Sequence, residues 1–359
     1  MTPRKVLMVC YYFPPIRTVG CTRSVAFARN LPACGWKPTV LTVRETRDPW
    51  VQTGAPVPED VEVVRTREWS LARCADLADA VFTRARRLLG FRGRRSWIRE
   101  LTCLPDSQVA WFSTVRGALL ARSHDAIYVS CSPYSSALSG CFMKLLSGKP
   151  LVVDLRDAWT LNPHAVHANL HRAVIERLER LVFALADRIV LNTDGALRAY
   201  ADLYPGAASK LVVVPNGYDE LSPASEVARG ERFSVMHFGS FYGSRQPDAL
   251  LAAIRSTGLP IEFVQVGGGY ARPAVDPGVP VTVIDTVERA RALELMKSAS
   301  LLYLRQGREP GVAHHMAVAA KTYEYLATGL PILADLPEGD NAEIVERYAS
   351  NARLVKSGS

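Results

Sequence analysis

The feature that most constrains the fold of this chain is a regular alternation of short apolar runs with helix-forming segments. The first apolar run, at residues 5–11, precedes a helical pattern at 22–34 that Gly35 ends, and the next run follows at 38–43. Apolar strands that alternate with helices predict a parallel sheet covered by helices on both faces. The chain is therefore predicted to be a doubly wound α/β protein.

The alternation is interrupted at residues 218–231, which are polar, contain Pro and Gly and lack apolar periodicity. A linker there divides the chain into two predicted Rossmann-like domains, residues 1–222 and 223–359. The other strands are predicted at 126–130, 150–155, 188–192, 210–214, 233–238, 261–266, 281–284, 301–304 and 332–334. The other helices are predicted at 135–147, 171–186, 247–256, 287–299, 317–327 and 342–348, with one more between the strands at 188–192 and 210–214.

The composition restricts the classes of binding partner but does not identify one. A net charge of +8 is compatible with nucleic acid, anionic lipid or nucleotide phosphates. No run approaches the roughly 20 apolar residues that span a bilayer, and the N-terminus runs directly into a strand, so a cytoplasmic location is expected. The seven cysteines show neither a C-x-x-C pair nor zinc spacing, so they do not predict a zinc site.

The segment at residues 321–334 predicts a helix that ends at Gly329, a stop at Pro331 and then an apolar strand. Glu324 lies on this helix near the strand ends, where a carboxylate can accept hydrogen bonds from two ribose hydroxyls. A solvated surface glutamate is an equally open interpretation. Lys321 lies three residues earlier and can share one helix face with Glu324, either as an ion pair or as a phosphate and ribose couple.

Two glycine-rich loops follow predicted strands of the second domain. In the loop at 239–245, the backbone of Gly239 and Ser240 can approach an anion, and Arg245 can pair with a phosphate oxygen. The loop at 267–269, with Gly267 and Gly268, permits similarly close approach. Ordinary glycine turns remain an alternative for both loops. No G-x-G-x-x-G follows the first strand, so a dinucleotide fingerprint is absent.

The loop at 305–318 contains the adjacent residues His314 and His315. Neighbouring side chains diverge on any regular element, so these histidines make a poor metal pair. They are interpreted as loop residues, one of which is a candidate for contact with ligand.

In the first domain, a strand ends in Asp154, Arg156 and Asp157. Strand alternation predicts Asp154 and Arg156 on one face and Asp157 beyond the strand end, where it can contact a reacting hydroxyl. The alternative, structural pairing of Asp154 and Arg156 with Asp157 as a helix cap, stays open.

Taken in order, these segments resemble the retaining GT-B glycosyltransferases of the GT4-like superfamily. The resemblance covers essentially the whole chain. It includes the Pro-Pro and glycine loop after the first strand, the Pro-Asp and Trp segment at 105–111, VDLRDAW at 153–159, VPNGYD at 214–219, GSFYG at 239–243 and KTYEYLATGLP at 321–331. It implies two Rossmann-like domains that face each other across a cleft, with the acceptor on the N-terminal domain and a nucleotide-diphosphate sugar on the C-terminal domain.

The resemblance also implies residue roles. Glu324 would hold the ribose hydroxyls, while Arg245 and Lys321 would neutralise the diphosphate as the glycosidic bond breaks. The donor would also be contacted by Gly20, Gly239, Ser240, Gly267 and Gly268. Such enzymes are generally independent of metals and other cofactors, and they retain configuration through a same-face attack assisted by the leaving phosphate.

Two departures from the pattern affect the donor sugar and the domain coupling. Many relatives have a glutamate eight residues before the ribose glutamate, but Met316 stands there in this chain. Glu309 is the candidate substitute, with His315 as a second sugar contact. The chain also ends soon after the strand at 332–334 and the helix at 342–348, so the C-terminal domain is short and looser domain coupling is expected.

Residues 84–99 contain seven arginines and no acid, interleaved with apolar and aromatic residues. Such a segment suits reversible contact with an anionic membrane, and it suggests a lipid-linked acceptor. Nucleic acid is not favoured, because no nucleic-acid-binding fold accompanies the arginines. A solvated surface hairpin is the alternative.

The function predicted from the sequence is transfer of a sugar in cell-surface polysaccharide or glycolipid assembly. The alternatives are a soluble transferase that glycosylates a small natural product and a nucleotide-sugar-binding protein that has lost turnover. An epimerase of the same fold is less favoured, because its additional acid and base groups cannot be placed.

Overall fold

The computed structural model describes residues 2–46, 52–68, 104–109, 111, 113–163, 169–218, 232–241, 246–267, 278–309 and 311–356. The chain forms two compact units: residues 1–192 with 196–214, and residues 193–195 with 215–359. The predicted boundary at residue 222 lies outside the described residues, as does the arginine-rich segment 84–99.

The first unit contains a parallel seven-stranded sheet in the order β5-β3-β1-β6-β7-β8-β9. Its strands are β1 Arg4–Cys10, β3 Trp36–Val43, β5 Glu62–Thr66, β6 Ala126–Cys131, β7 Leu151–Leu155, β8 Arg188–Leu191 and β9 Leu211–Val213, with a small antiparallel pair of β2 Ile16–Arg17 and β4 Gln52–Thr53. The helices are α1 Val19–Asn30, α2 Thr114–Ala121, α3 Ser135–Ser147, α4 Asn169–Leu185 and α5 Asp194–Leu203, and 3-10 turns occupy Leu31–Cys34 and Pro205–Lys210.

Helices cover both faces of this sheet. On one face, Met8 and Val40 pack in a buried cluster with Ala28 of α1. On the other face, Gly117 of α2 lies so close to Leu41 that an added Cβ would be 3.0 Å from it. A strand buried on both faces needs an unbroken apolar sequence, which is why β1 and β3 are predictable from sequence.

The second unit contains a parallel six-stranded sheet in the order β12-β11-β10-β13-β14-β15. Its strands are β10 Phe233–Phe238, β11 Ile261–Val266, β12 Val281–Ile284, β13 Leu301–Arg305, β14 Ile332–Leu336 and β15 Ala352–Lys356. Its helices are α6 Asp248–Thr257, α7 Arg289–Lys297, α8 Ala320–Thr328 and α9 Asp340–Tyr348. Its core includes Phe238, Leu302, Tyr325 and Ile332.

The predicted doubly wound α/β class is confirmed in both sheets. The edge strands β5 and β15 and the short helix α2 were not predicted. Both edge strands are short and carry charged residues, EVVRT and ARLVK, because an edge position leaves part of the strand exposed. Among the described residues, no helix is long and apolar enough to cross a membrane.

Each sheet reverses its strand order once, between β1 and β6 in the first unit and between β10 and β13 in the second. Ligands of open α/β sheets bind beyond the carboxyl ends of the strands at such reversals. The loops after these strands are therefore the expected position of a ligand site in each unit.

Candidate functional site

Two glycine loops lie against each other at the carboxyl edge of the second sheet. Gly239 follows β10 with φ +116°, and Gly267 follows β11 with φ +95°. The Gly239 N–H donates to the Val266 carbonyl at 2.7 Å, and the Ser240 hydroxyl donates to the Gly267 carbonyl at 3.0 Å. An added Cβ on Gly267 would lie 3.5 Å from the Cα of Gly239. The positive φ angles and this close approach explain the glycines.

Lys321 extends from α8 over the first of these loops. A Cβ added to Gly239 would lie 2.7 Å from the Lys321 Nζ. The same ammonium lies 3.2 Å from Nε2 of His237, a residue of β10 that is only 1% exposed. The structure therefore brings together Gly239 and Lys321, which the sequence analysis identified separately, and it adds a buried histidine that holds the lysine.

The tautomer of His237 follows from its two partners. Lys321 can only donate, so Nε2 accepts, and the protonated Nδ1 donates to the Tyr303 carbonyl at 2.9 Å. Burial lowers the pKa of His237 well below its ordinary value, and the positive charge of Lys321 lowers it further. A neutral imidazole, stacked on Phe241 with ring centroids 4.2 Å apart, thus orients a charged lysine.

The lowered pKa of His237 makes stability depend on pH in a defined direction. Below about pH 6.5 the unfolded chain protonates this histidine while the folded chain does not, so the free energy of unfolding falls as pH falls. Between about pH 7.5 and about pH 5.5 this one group is expected to remove about 1 kcal/mol. Urea unfolding of the wild type and of His237→Gln at both pH values measures the contribution of His237 to this pH dependence. An identical pH dependence in the two proteins would contradict the assignment.

Glu324 lies on α8, one helical turn beyond Lys321. Its Oε1 is 3.0 Å from Nη2 of Arg289, the first residue of α7, and the two side chains are 25% and 45% exposed. A carboxylate accepts hydrogen bonds at both oxygens, so this ion pair leaves room for the hydroxyls of a ligand. The Arg289 contact was not anticipated from the sequence.

A buried hydrogen-bond network fixes the loop that leads into α8. Thr322 donates to the Asn341 side chain at 2.7 Å, and Asn341 donates to the Gln306 side chain, also at 2.7 Å. Gln306 in turn donates to the Ala317 carbonyl at 3.2 Å. Side chains from α8, from α9 and from the loop after β13 thereby set where α8 begins, and hence where Lys321 and Glu324 lie.

The other residues predicted to contact the donor are placed as follows. His315 is 5% exposed, and its backbone N–H and carbonyl pair with Glu338 and Asp340 at 2.9 Å each. Glu309 is half-buried, and its carbonyl accepts the Val312 N–H at 3.2 Å. Arg245 and Gly268 lie outside the described residues. The sugar-binding role of Glu309 and His315 stays a prediction, as does the nucleotide-binding role of Arg245 and Gly268.

One group of described side chains could hold a metal ion. Ligand atoms of His314, Asp340 and Glu343 lie within 4.8 Å of one another. Nε2 of His314 is 3.5 Å from Oδ1 of Asp340, and that same oxygen accepts the Gly195 N–H at 2.9 Å. Clusters of this kind are also common as hydrogen-bonded acids, so the geometry does not require a cation.

In the first unit, Asp154 and Arg156 have separate structural partners. Asp154 is fully buried and accepts a hydrogen bond from Nε of Arg23 at 2.8 Å. Arg156 donates to the carbonyls of Gly20, Cys131 and Ser132 at 2.6 to 2.9 Å. A Cβ added to Gly20 would lie 2.5 Å from Nη1 of Arg156, so packing of this guanidinium accounts for the glycine.

Asp157 is exposed at the carboxyl end of β7, and the loop that follows it is firmly held. The buried Glu179 of α4 accepts hydrogen bonds from the hydroxyls of Thr160, Tyr200 and Tyr204. The bonds from Tyr200 and Tyr204 are 2.9 and 2.8 Å long. Sequence reasoning missed Glu179, because a glutamate in an Arg-rich and Glu-rich helix is typical of a solvated face.

The loop at residues 104–109 is joined to the start of α3, the helix that follows β6. Asp106 accepts both the backbone N–H of Ser135 at 2.8 Å and its hydroxyl at 2.7 Å, which ties the loop to the start of α3. Burial raises the pKa of Asp106, and the hydrogen bonds from Ser135 partly oppose that rise.

Comparison of Gly239→Ala with Gly258→Ala should separate the effect of backbone strain on stability from an effect on ligand binding. Gly239 has φ +116° and faces the Lys321 ammonium, whereas Gly258, with φ +65°, has nothing within 4 Å of an added Cβ. Each alanine is expected to lower the free energy of unfolding by about 1–3 kcal/mol through backbone strain. We expect Gly239→Ala alone to weaken nucleotide binding, because its methyl group displaces Lys321. Thermal unfolding and calorimetric titration check this, and equal binding by both variants would contradict it.

Residues 22–217 match the sequence model of the Glycosyl transferase 4-like domain, which is more than half of the 359 residues. The chain belongs to the glycosyl transferase 4-like family. No curated protein matches the sequence of this family member closely.

Solved structures similar to this glycosyltransferase support the fold. Anabaena HepE in complex with UDP is 16% identical, with a TM-score of 0.62 over 99% of this chain and 86% of HepE. Trehalose 6-phosphate synthase from Burkholderia multivorans is 12% identical, with a TM-score of 0.59 and the same coverage. The lipopolysaccharide outer core galactosyltransferase WaaB is 11% identical, with a TM-score of 0.55 over 99% and 87% of the two chains. The chain is a glycosyltransferase with the GT-B fold.

Proposed function

We propose that this glycosyltransferase moves a sugar from a nucleotide-diphosphate donor to an acceptor hydroxyl with retention of anomeric configuration. The observation that carries the proposal is the position of the Lys321 ammonium over Gly239, with Glu324 one turn further along the same helix. A positive charge and a carboxylate at this spacing suit a diphosphate and a ribose respectively.

The donor nucleotide is proposed to lie along the carboxyl edge of the second sheet. Glu324 accepts the ribose hydroxyls, and the backbone of Gly239 and Ser240, together with the loop that begins at Gly267, contacts phosphate and base. Lys321, joined by Arg245, neutralises the charge that develops on the leaving diphosphate, which is the largest electrostatic demand of the reaction. These cationic groups make a metal unnecessary in the proposed mechanism.

The donor and acceptor classes are suggested by similar structures. Anabaena HepE has been solved with UDP and with UDP-glucose, and WaaB is a lipopolysaccharide outer core galactosyltransferase. We propose a nucleotide-diphosphate sugar as donor and a glycan or lipid-linked glycan of the cell surface as acceptor. The enzyme would then act in the cytoplasm, in part on the inner face of the membrane.

On the acceptor side, Asp157 is proposed to contact the reacting hydroxyl, because it is exposed at a strand end on a loop that Glu179 holds in place. Gly20 is proposed to approach the donor phosphates. For the donor sugar, Glu309 and His315 are the proposed contacts, since Met316 replaces the glutamate of many relatives.

The experiment is incubation with UDP, GDP, ADP and dTDP sugars, followed by detection of the released nucleotide and of the product anomer by NMR. We expect release from one donor class and a product with the anomeric configuration of that donor. Binding without release would favour the nucleotide-sugar-binding alternative that Met316 suggests. Inversion of configuration would contradict the retaining mechanism.

A further inference from the structure

The carboxylate that is proposed to hold the donor ribose already has a partner within the protein. Oε1 of Glu324 lies 3.0 Å from Nη2 of Arg289. Among the described residues, neither side chain has a second ion pair or hydrogen bond. The Glu324 side chain is 25% exposed, so a ligand reaches the part of the carboxylate that Arg289 leaves uncovered.

The position of this ion pair is set by the packing of two helices. Arg289 is the first residue of α7, and Glu324 lies on α8. Leu293 of α7 and Tyr325 of α8 pack in the same hydrophobic cluster, which fixes the spacing of the two backbones. The local sequence of α7 does not favour an arginine at residue 289, because a positive charge at a helix N-terminus opposes the helix dipole. The contact with Glu324 offsets this cost.

The ion pair limits how the carboxylate can hold a ribose. The 2′- and 3′-hydroxyls lie on adjacent carbons, and each can donate one hydrogen bond to a carboxylate. A carboxylate with both oxygens uncovered can therefore accept one hydroxyl on each oxygen. In this site Arg289 covers Oε1, so Oε2 of Glu324 is the oxygen that remains for the ligand. With one acceptor oxygen, the second hydroxyl contributes little to affinity.

We propose that Arg289 is a specificity-determining residue that makes the donor site accept 2′-deoxyribose nearly as well as ribose. The inference rests on the proposed function, because it takes Glu324 as the contact for the nucleoside sugar. The 3′-hydroxyl, which ribonucleotides and 2′-deoxyribonucleotides share, donates to Oε2 of Glu324. A dTDP sugar is then as acceptable at this contact as a UDP, GDP or ADP sugar.

The test is calorimetric titration with UDP and 2′-deoxy-UDP, with GDP and 2′-deoxy-GDP, and with ADP and 2′-deoxy-ADP. The two members of each pair differ only in the 2′-hydroxyl. Wild type is expected to bind both members of the pair that it recognises with affinities within about threefold of each other. Arg289→Met uncovers Oε1 and should raise the preference for the ribonucleotide to about tenfold or more, the effect of one hydrogen bond to a charged acceptor.

The matched control is Arg291→Met on the same helix. Arg291 is 60% exposed, and its Nη1 lies 3.0 Å from Glu294, so this variant removes the same charge and a similar ion pair without touching Glu324. Its ratio of the two affinities should equal that of wild type. In the Arg289→Met protein, the further change Glu324→Ala should abolish the acquired preference, because both hydroxyls then lose their acceptor.

The possible failures of this inference and of the proposed function give different results. A wild-type preference for the ribonucleotide of about tenfold or more, or an unchanged ratio in Arg289→Met, would overturn the inference and leave the proposed function intact. No binding of any of the six nucleotides by wild type would overturn both. Thermal unfolding of Arg289→Met should be close to that of wild type, since exposed ion pairs contribute little to stability, so the ratio reports on binding.

Discussion

Replacement of Lys321 by methionine is expected to lower donor turnover about a hundredfold, the effect typical of removing one preorganised charge from a developing oxyanion. Methionine keeps the length of the side chain but removes the ammonium that lies over Gly239. His237 stays neutral, but its buried Nε2 loses the donor that Lys321 supplies, so a loss of about 1–3 kcal/mol in the free energy of unfolding is also expected. Initial rates of nucleotide release, together with thermal unfolding, measure the two effects separately.

The matched control for this variant is Lys297→Met, at the end of α7 in the same unit. It removes the same charge from the domain without touching the glycine loops, and its turnover should be close to that of wild type. A Lys321→Met enzyme that retains wild-type turnover would show that the donor diphosphate is neutralised elsewhere.

Replacement of Asp154 by alanine is expected to have the largest effect on stability, about 3–5 kcal/mol of unfolding free energy, because it removes the carboxylate that compensates the charge of a buried arginine. Arg23 is 8% exposed and points its Nε at Asp154, and Tyr128 donates its hydroxyl to the same carboxylate. Burial and the nearby Asp154 charge raise the pKa of Tyr128 well above its ordinary value, so it remains a donor.

Tryptophan fluorescence isolates this effect, because all six tryptophans lie at or before residue 159 and therefore report on the first unit. Urea unfolding of the variant should show an early fluorescence transition, while Asp202→Ala, an exposed acid of α5, should change stability by less than about 0.5 kcal/mol. The further change Arg23→Met in the Asp154→Ala protein should recover part of the loss. No recovery would show that the Arg23 charge is not the source of the instability.

Much of the fold was predictable because its central strands and their helices are strongly patterned. The helix of Lys321 and Glu324 is bounded by Gly329 and Pro331, which fix its end from local sequence alone. The edge strands β5 and β15 escaped prediction because charged residues interrupt their apolar runs, whereas the edge strands β9 and β12 were predicted.

Individual residues of the candidate site could be predicted from the sequence, but the contacts between them could not. Lys321 and Gly239 were each identified from a local pattern, whereas their juxtaposition depends on strand order. The support from His237 and the ion pair of Glu324 with Arg289 depend on the same order. Glu179 was missed because its helix sequence is typical of a solvated face, and only the packing of Tyr200 and Tyr204 shows it to be buried.

The most direct test of the donor site is calorimetric titration with the nucleoside, nucleoside monophosphate and nucleoside diphosphate of the base that the donor panel selects. Glu324→Ala should bind all three about tenfold more weakly, because the ribose contact is common to them. Lys321→Met should lose affinity for the diphosphate and bind the nucleoside as wild type does. Wild-type affinity of both variants for all three ligands would contradict the assignment of this edge of the second sheet to the donor nucleotide.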